Sequence, residues 1–186
     1  MTPIDAFVSV ILRSDHLTIQ QVAWHEAGHK MFWNATFPDI PVKYAVSDGL
    51  PAVIPSSDGH ALKLADMDNR EASRYVYIKL GGIAAEIIMF NLHPAVDLIA
   101  DFVTTDFYSG ESGLDWQDDQ EHGGDIPAAI RIIESRAGKQ SVKVNFNRIL
   151  RSCVDNLLAN RAEFEAEAQE AFTLFRKWHD RGMFRL

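Results

Sequence analysis

A chain of 186 residues and 20.9 kDa is the size of one domain, and 47% hydrophobic with 24% charged residues is the balance of an ordinary globular protein. Its 26 acidic against 18 basic residues give a net charge of -8, the wrong sign for condensing on a nucleic-acid backbone. The single Cys153 excludes an intramolecular disulfide and any multi-cysteine metal site, and it reads as a reduced thiol in a cytoplasmic setting.

In chain order, residues 1–15 read as an N-terminal extension and 16–186 as a single domain. The extension has a short apolar run, but it carries Asp5 and lacks the basic start and small-residue cleavage site of a signal peptide. A first helix is predicted from about Thr18 to Thr36, with Asp15 or Thr18 as N-cap and Pro38 as its stop. PVKYAV and LPAVIP then flank Ser47-Asp48-Gly49, a hairpin signal, and Pro51 and Pro55 make the second strand short or an edge.

A second helix is predicted from Asp68 or Asn69 to about Phe90. Its most apolar part, from Ile78 to Phe90, includes Lys79 and Glu86 and is too short to span a bilayer. Gly81 and Gly82 lie inside it, each costing roughly 1 kcal/mol relative to Ala, which a close approach by another backbone would explain. Residues 109–125 hold six acids and no base and read as a solvated loop. From about Asn145 to Trp178, apolar residues at helical spacing give one long amphipathic helix or a closely spaced pair, a packing element.

The chemistry is concentrated in His25-Glu26-Ala27-Gly28-His29, an HExxH motif inside the first predicted helix. On a helix, His25 and His29 stand one turn apart on one face, so two imidazole nitrogens can converge on one Zn²⁺ at about 2.0 to 2.1 Å. Glu26 beside them can take a proton from water that a metal has made acidic. Gly28, between two candidate ligands, points to close helix packing.

A catalytic zinc needs a third protein ligand and an open position. The candidates are the remaining histidines, His16, His60, His93, His122 and His179, and the acids Glu86, Asp115, Asp118, Asp119 and Glu121. Spacing does not choose among them.

HEAGH at 25–29, the hairpin after it, LGGIAAEIIMF at 80–90 and SGLDWQDD at 112–119 together resemble the peptidase domain of the FtsH-type ATP-dependent zinc proteases, whose motifs read HEAGH, LGGRAAE and GAxxDL in that order. The similarity spans about residues 18–180. It implies His25 and His29 as zinc ligands, Glu26 as catalytic base, Asp115 as third ligand and Glu86 as a residue that orients a ligating His.

Ile83 stands where the family has arginine, and the spacing before Asp115 is one residue longer than in GAxxD if Gly110 is the equivalent glycine. Leu114 and Trp116 flank Asp115 with apolar groups that can anchor it. No G-x-x-x-x-G-K-[ST] loop occurs in these 186 residues, so the expectation is a peptidase domain without the family's ATPase module.

The expectation is a predominantly α-helical α+β fold, with a zincin-like HExxH helix, a small β-hairpin sheet and a long C-terminal helical segment. The expected activity is that of a zinc-dependent endopeptidase acting on flexible or unfolded polypeptides. An extended peptide would add to a hairpin edge, and a second copy or a separate ATPase stays open as partner. The rivals are a zinc-binding regulatory or scaffold pseudo-peptidase without proteolysis, and another HExxH class that uses Glu86 as ligand.

Overall fold

A computed structural model describes residues 1–12, 17–56, 67–114, 116 and 124–186. It is mostly helical with one two-stranded antiparallel sheet, the predicted α+β class. The elements are α1 (Pro3–Phe7, continued by a π-turn over Val8–Leu12), α2 (Ile19–Thr36), β1 (Val42–Ser47), β2 (Leu50–Pro55), α3 (Asn69–Met89), α4 (Val96–Ser109), α5 (Asp125–Ala137), α6 (Val142–Ala159) and α7 (Arg161–Asp180). Among the described residues, no helix is long and apolar enough to cross a membrane.

Local chemistry sets the boundaries. Thr18 caps α2 by accepting from the Gln21 N–H, and the helix ends at Phe37, just before Pro38. Asp68 and Glu71 form a capping box at the start of α3. The hairpin turns at Asp48 and Gly49, whose φ angles of 50° and 83° are both left-handed, the pattern of a type I′ two-residue turn. The predicted C-terminal helical segment is a pair, α6 and α7, broken at Asn160.

The sequence reading did not predict α1, α4 or α5. Two of them are short or lack strong boundary signals, and α5 begins at the end of a stretch read as loop.

α3 is the central element. Leu80, Ala84, Ala85 and Ile87 have no exposed surface, because α2, α5 and α6 pack around the helix. α4 covers another side of α6. A second, smaller apolar cluster joins α2, β1 and α7 through Ala23, Tyr44, Ala171 and Phe175, with Phe184 beyond α7. The hairpin therefore lies against the HExxH helix, with β2 facing it.

Glycines bring α2 and α3 together. A Cβ placed on Gly28 would lie 2.2 Å from the Gly81 carbonyl oxygen, and one on Gly81 would lie 2.7 Å from the Gly28 carbonyl oxygen. Neither position tolerates a side chain, so the two backbones touch where the helices cross. This is the close approach that the glycines within both predicted helices suggested.

Candidate metal centre

The crossing places His25 and His29 of α2 against α3. Their rings stand edge to face with centroids 4.6 Å apart, and their Nε2 atoms are 2.9 Å apart. The first residue of α5 closes the group: Asp125 Oδ2 lies 2.9 Å from each of the two Nε2 atoms. Glu26 brings its carboxylate close enough that ligand atoms of His25, Glu26 and His29 lie within 4.8 Å of one another.

The far side of each ring explains its orientation. His29 Nδ1–H donates to the Ile78 carbonyl at 2.6 Å, and a carbonyl only accepts, so this nitrogen carries the proton. A ring protonated at Nδ1 alone presents a lone pair at Nε2. His25 Nδ1 faces Glu86 Oε1 at 3.5 Å, another acceptor. Glu86 is 5% exposed, and its Oε1 also takes a hydrogen bond from Gln21 Nε2 at 3.3 Å. Gln21 in turn donates to the Val10 carbonyl, which ties the N-terminal segment to the site.

Two imidazole nitrogens and a carboxylate oxygen thus face one another with their acceptor sides inward. Only a proton or a cation relieves that arrangement. Tetrahedral zinc with ligands at about 2.0 to 2.1 Å requires ligand–ligand separations of roughly 3.3 Å, a small expansion of the 2.9 Å triangle. Two His nitrogens and a carboxylate oxygen are also a donor set that zinc accepts, so the residues fit the ion.

A proton can satisfy the same three atoms. Burial favours a neutral His25, but hydrogen bonds to Asp125 and Glu86 outweigh it and hold this histidine well above its ordinary range. Asp125 is pushed the other way. Burial opposes its charge, yet attraction to His29 and hydrogen bonds from both rings keep its carboxyl well below the usual carboxylate range.

Three further groups complete the site. Lys79 Nζ donates to Asp125 Oδ1 at 3.1 Å, leaving Oδ2 for the histidine pair. Glu26 Oε2 accepts the Val53 backbone N–H at 2.8 Å, which fixes the carboxylate beside the hairpin. Gly82 lies directly beneath His25, where a Cβ would come within 2.5 Å of Nε2. A cleft of about 600 Å³ opens over the group, its walls including Leu12, Val22, Val53, Ile83 and Trp116.

Of the sequence-predicted residues, the structure brings together His25, Glu26 and His29, with Glu86 on the distal nitrogen of His25 rather than beside the two Nε2 atoms. Asp115, Asp118, Asp119, Glu121, His16, His60 and His122 lie outside the described residues. Leu114 and Trp116, which flank Asp115, both line the cleft, and Trp116 donates its indole N–H to buried Asp106. His93 sits in a short turn after α3, and His179 stacks edge-on against Phe184, so neither joins the group.

The carboxylate that meets both imidazoles belongs to Asp125, which sequence reasoning passed over as the end of an acidic loop. A signal was present. Gly124-Asp125-Ile126-Pro127, followed by apolar Ala129, Ile130, Ile132 and Ile133, has the glycine break, first-turn acid and early proline of a helix start. Asp125 there also gains from the positive end of the helix dipole.

The chain matches no protein-family model, no curated protein and no solved structure.

Proposed function

We propose that the chain is a zinc-dependent endopeptidase that cleaves flexible or unfolded polypeptides without a motor of its own. The observation that carries the reading is the convergence of His25 Nε2, His29 Nε2 and Asp125 Oδ2 at 2.9 Å, beside a glutamate held at the rim of an open cleft. His25, His29 and Asp125 would hold the ion. When bound, zinc supplies a Lewis acid that polarises a scissile carbonyl and makes water acidic near neutral pH.

The chain's own residues do the rest. Glu26 uses Oε2 to accept from Val53, so Oε1 is the atom that takes a proton from the attacking water. The water oxygen bonds to the carbonyl carbon, the carbon–nitrogen bond breaks, and Glu26 passes its proton to the departing amine. Glu86 and the Ile78 carbonyl keep both imidazoles aimed with Nε2 inward. Lys79 offsets charge on Asp125 and leaves one of its oxygens for the ion.

An extended peptide lies along β2, whose Pro51, Ala52 and Val53 line the same cleft. A folded domain resists giving up such a strand, which is why flexible chains are the substrates. The reading places the protein in a reducing, cytoplasmic setting, where its one thiol, buried Cys153, stays unpaired.

The test is the Glu26→Gln variant beside the parent chain, both assayed for zinc content and for cleavage of an unfolded polypeptide. The parent should bind one zinc and cut, and a chelator should stop it reversibly. Glu26→Gln should keep the zinc and lose cleavage. Full activity in the variant removes Glu26 from the mechanism, whereas zinc binding with no cleavage by the parent supports the scaffold reading.

A further inference from the structure

The hairpin register pairs Val42 with Pro55, Tyr44 with Val53, Val46 with Pro51 and Ser47 with Leu50. In an antiparallel ladder, alternate residues direct both their N–H and C=O either at the partner strand or away from it. Two bonds fix which set is which. The Ser56 N–H donates to the Pro41 carbonyl, so even-numbered residues of β2 face β1. The Val53 N–H donates to Glu26 on the other side, so Pro51, Val53 and Pro55 face the free edge.

Among the described residues no strand pairs with that edge. Its donors are nevertheless all gone: two of the three outward residues are prolines, which have no N–H, and the third N–H is held by Glu26. What remains is a row of three carbonyls, from Pro51, Val53 and Pro55, the first two belonging to residues that line the cleft beside the histidine pair.

We propose that this edge is a peptide subsite that reads its occupant through acceptors only. The peptide must donate an N–H at every second residue, and its own carbonyls outside the scissile bond go unread. Proline or any N-alkylated residue is therefore rejected at those alternate positions and tolerated between them. A second copy pairing through its own β2 edge is a poor occupant by the same logic, because that edge also offers carbonyls and no free N–H. An extended peptide with free amides has the complementary donors. The inference rests on the endopeptidase reading and names the substrates it admits.

The experiment uses the zinc-loaded chain and one unstructured peptide cut at a single bond, remade in two series. One series N-methylates each residue in turn, removing a donor. The other replaces each carbonyl outside the scissile bond with a thioamide, weakening an acceptor. The N-methyl series should raise KM about three- to tenfold at alternate positions, the effect of one lost hydrogen bond, with little change between them. The thioamide series should be flat.

Pro51→Ala and Pro55→Ala, checked for folding by circular dichroism, each restore an N–H. They should lower KM rather than raise kcat, and make one carbonyl newly sensitive to thioamide replacement. Binding of both series to the Glu26→Gln chain, measured by titration, should show the same alternation. Cleavage or binding without alternation, or equal sensitivity to both series in the parent chain, overturns the acceptor-only edge alone. An unmodified peptide that is neither bound nor cut overturns it together with the endopeptidase reading.

Discussion

The α2–α3 crossing and the α6–α7 pair are both helix packings, built by opposite means. No glycine occurs in α6 or α7, and Phe146, Leu150, Leu157, Phe164 and Phe175 bury an apolar stripe beneath an exposed, charged face. The crossing instead accepts glycines, at roughly 1 kcal/mol each relative to Ala, and buries Gln21 and Glu86 beside the histidine rings. α6 and α7 gain stability from area. The crossing gives up helix propensity so that two backbones can touch and three polar groups can converge. Substitutions at the crossing should therefore register in metal binding, and those in α7 in stability alone.

The largest expected effect on zinc binding follows loss of a ligand. Asp125→Ala should lower zinc affinity by more than the roughly hundredfold typical of residues that only orient a ligand, with the helical circular dichroism retained. Equilibrium dialysis against a competing chelator measures it, with Asp115→Ala alongside. A metal-replete Asp125→Ala beside a metal-free Asp115→Ala would move the third ligand into the acidic stretch and remove α5 from the site.

Next in size is Gly82→Ala. Its Cβ would lie 2.5 Å from His25 Nε2, so the ring must swing out of the triangle. Zinc affinity should fall about ten- to hundredfold, although Ala is the better helix former. Gly28→Ala tests the same seam from the other side. With its Cβ 2.2 Å from the Gly81 carbonyl oxygen, the helices must separate, costing about 1 to 3 kcal/mol in denaturant unfolding. An unchanged zinc affinity in Gly82→Ala would mean that the glycine serves helix packing and not the ligand.

A smaller effect is expected of Glu86→Gln. The amide keeps the shape and one acceptor for His25 Nδ1 but loses the charge, so zinc affinity should drop by about tenfold. A loss as deep as that of Asp125→Ala would make Glu86 a ligand, in line with the rival HExxH class.

What the sequence made legible divides along the same line. Elements announced by neighbouring residues were readable: the Thr18 cap, the Asp68 and Glu71 capping box, the Asp48-Gly49 turn and the 3.6-residue stripe of α6 and α7. The HExxH pair was readable too, because one helical turn is a local fact. Asp125 was not, since its role depends on a helix start being carried to α2 from 100 residues away.

The Ile78 carbonyl and Val53 N–H are backbone atoms, so no residue type marks them, although one orients His29 and the other holds Glu26. Glycines at 28, 81 and 82 were visible as anomalies. Which of them serve the backbone contact and which one seats the His25 ring is decided by how the helices cross.

The smallest expected effect on zinc binding is the control that gives the comparison its force. Phe175 is fully buried in α7, edge-on to Tyr44 with centroids 5.2 Å apart and stacked on Trp178 at 5.5 Å. Phe175→Ala should cost about 3 to 5 kcal/mol of stability, the range for a buried aromatic whose space cannot fully collapse. Zinc affinity of the folded variant should stay within about twofold, because residues without shared partners act nearly independently.

One route could defeat that independence. Tyr44 and Lys30 both donate to Glu167 Oε1 at 2.7 Å, and Lys30 follows His29 directly on α2. If Phe175→Ala lowered zinc affinity in step with stability, the cavity would be reaching His29 through Tyr44, Glu167 and Lys30. α7 would then be part of the support of the metal centre, and the division between the two regions would fail. Repeating the measurement in Tyr44→Phe, which keeps the ring and removes the hydroxyl, separates the cases: that variant should reproduce the zinc loss only if the hydrogen-bonded path carries it.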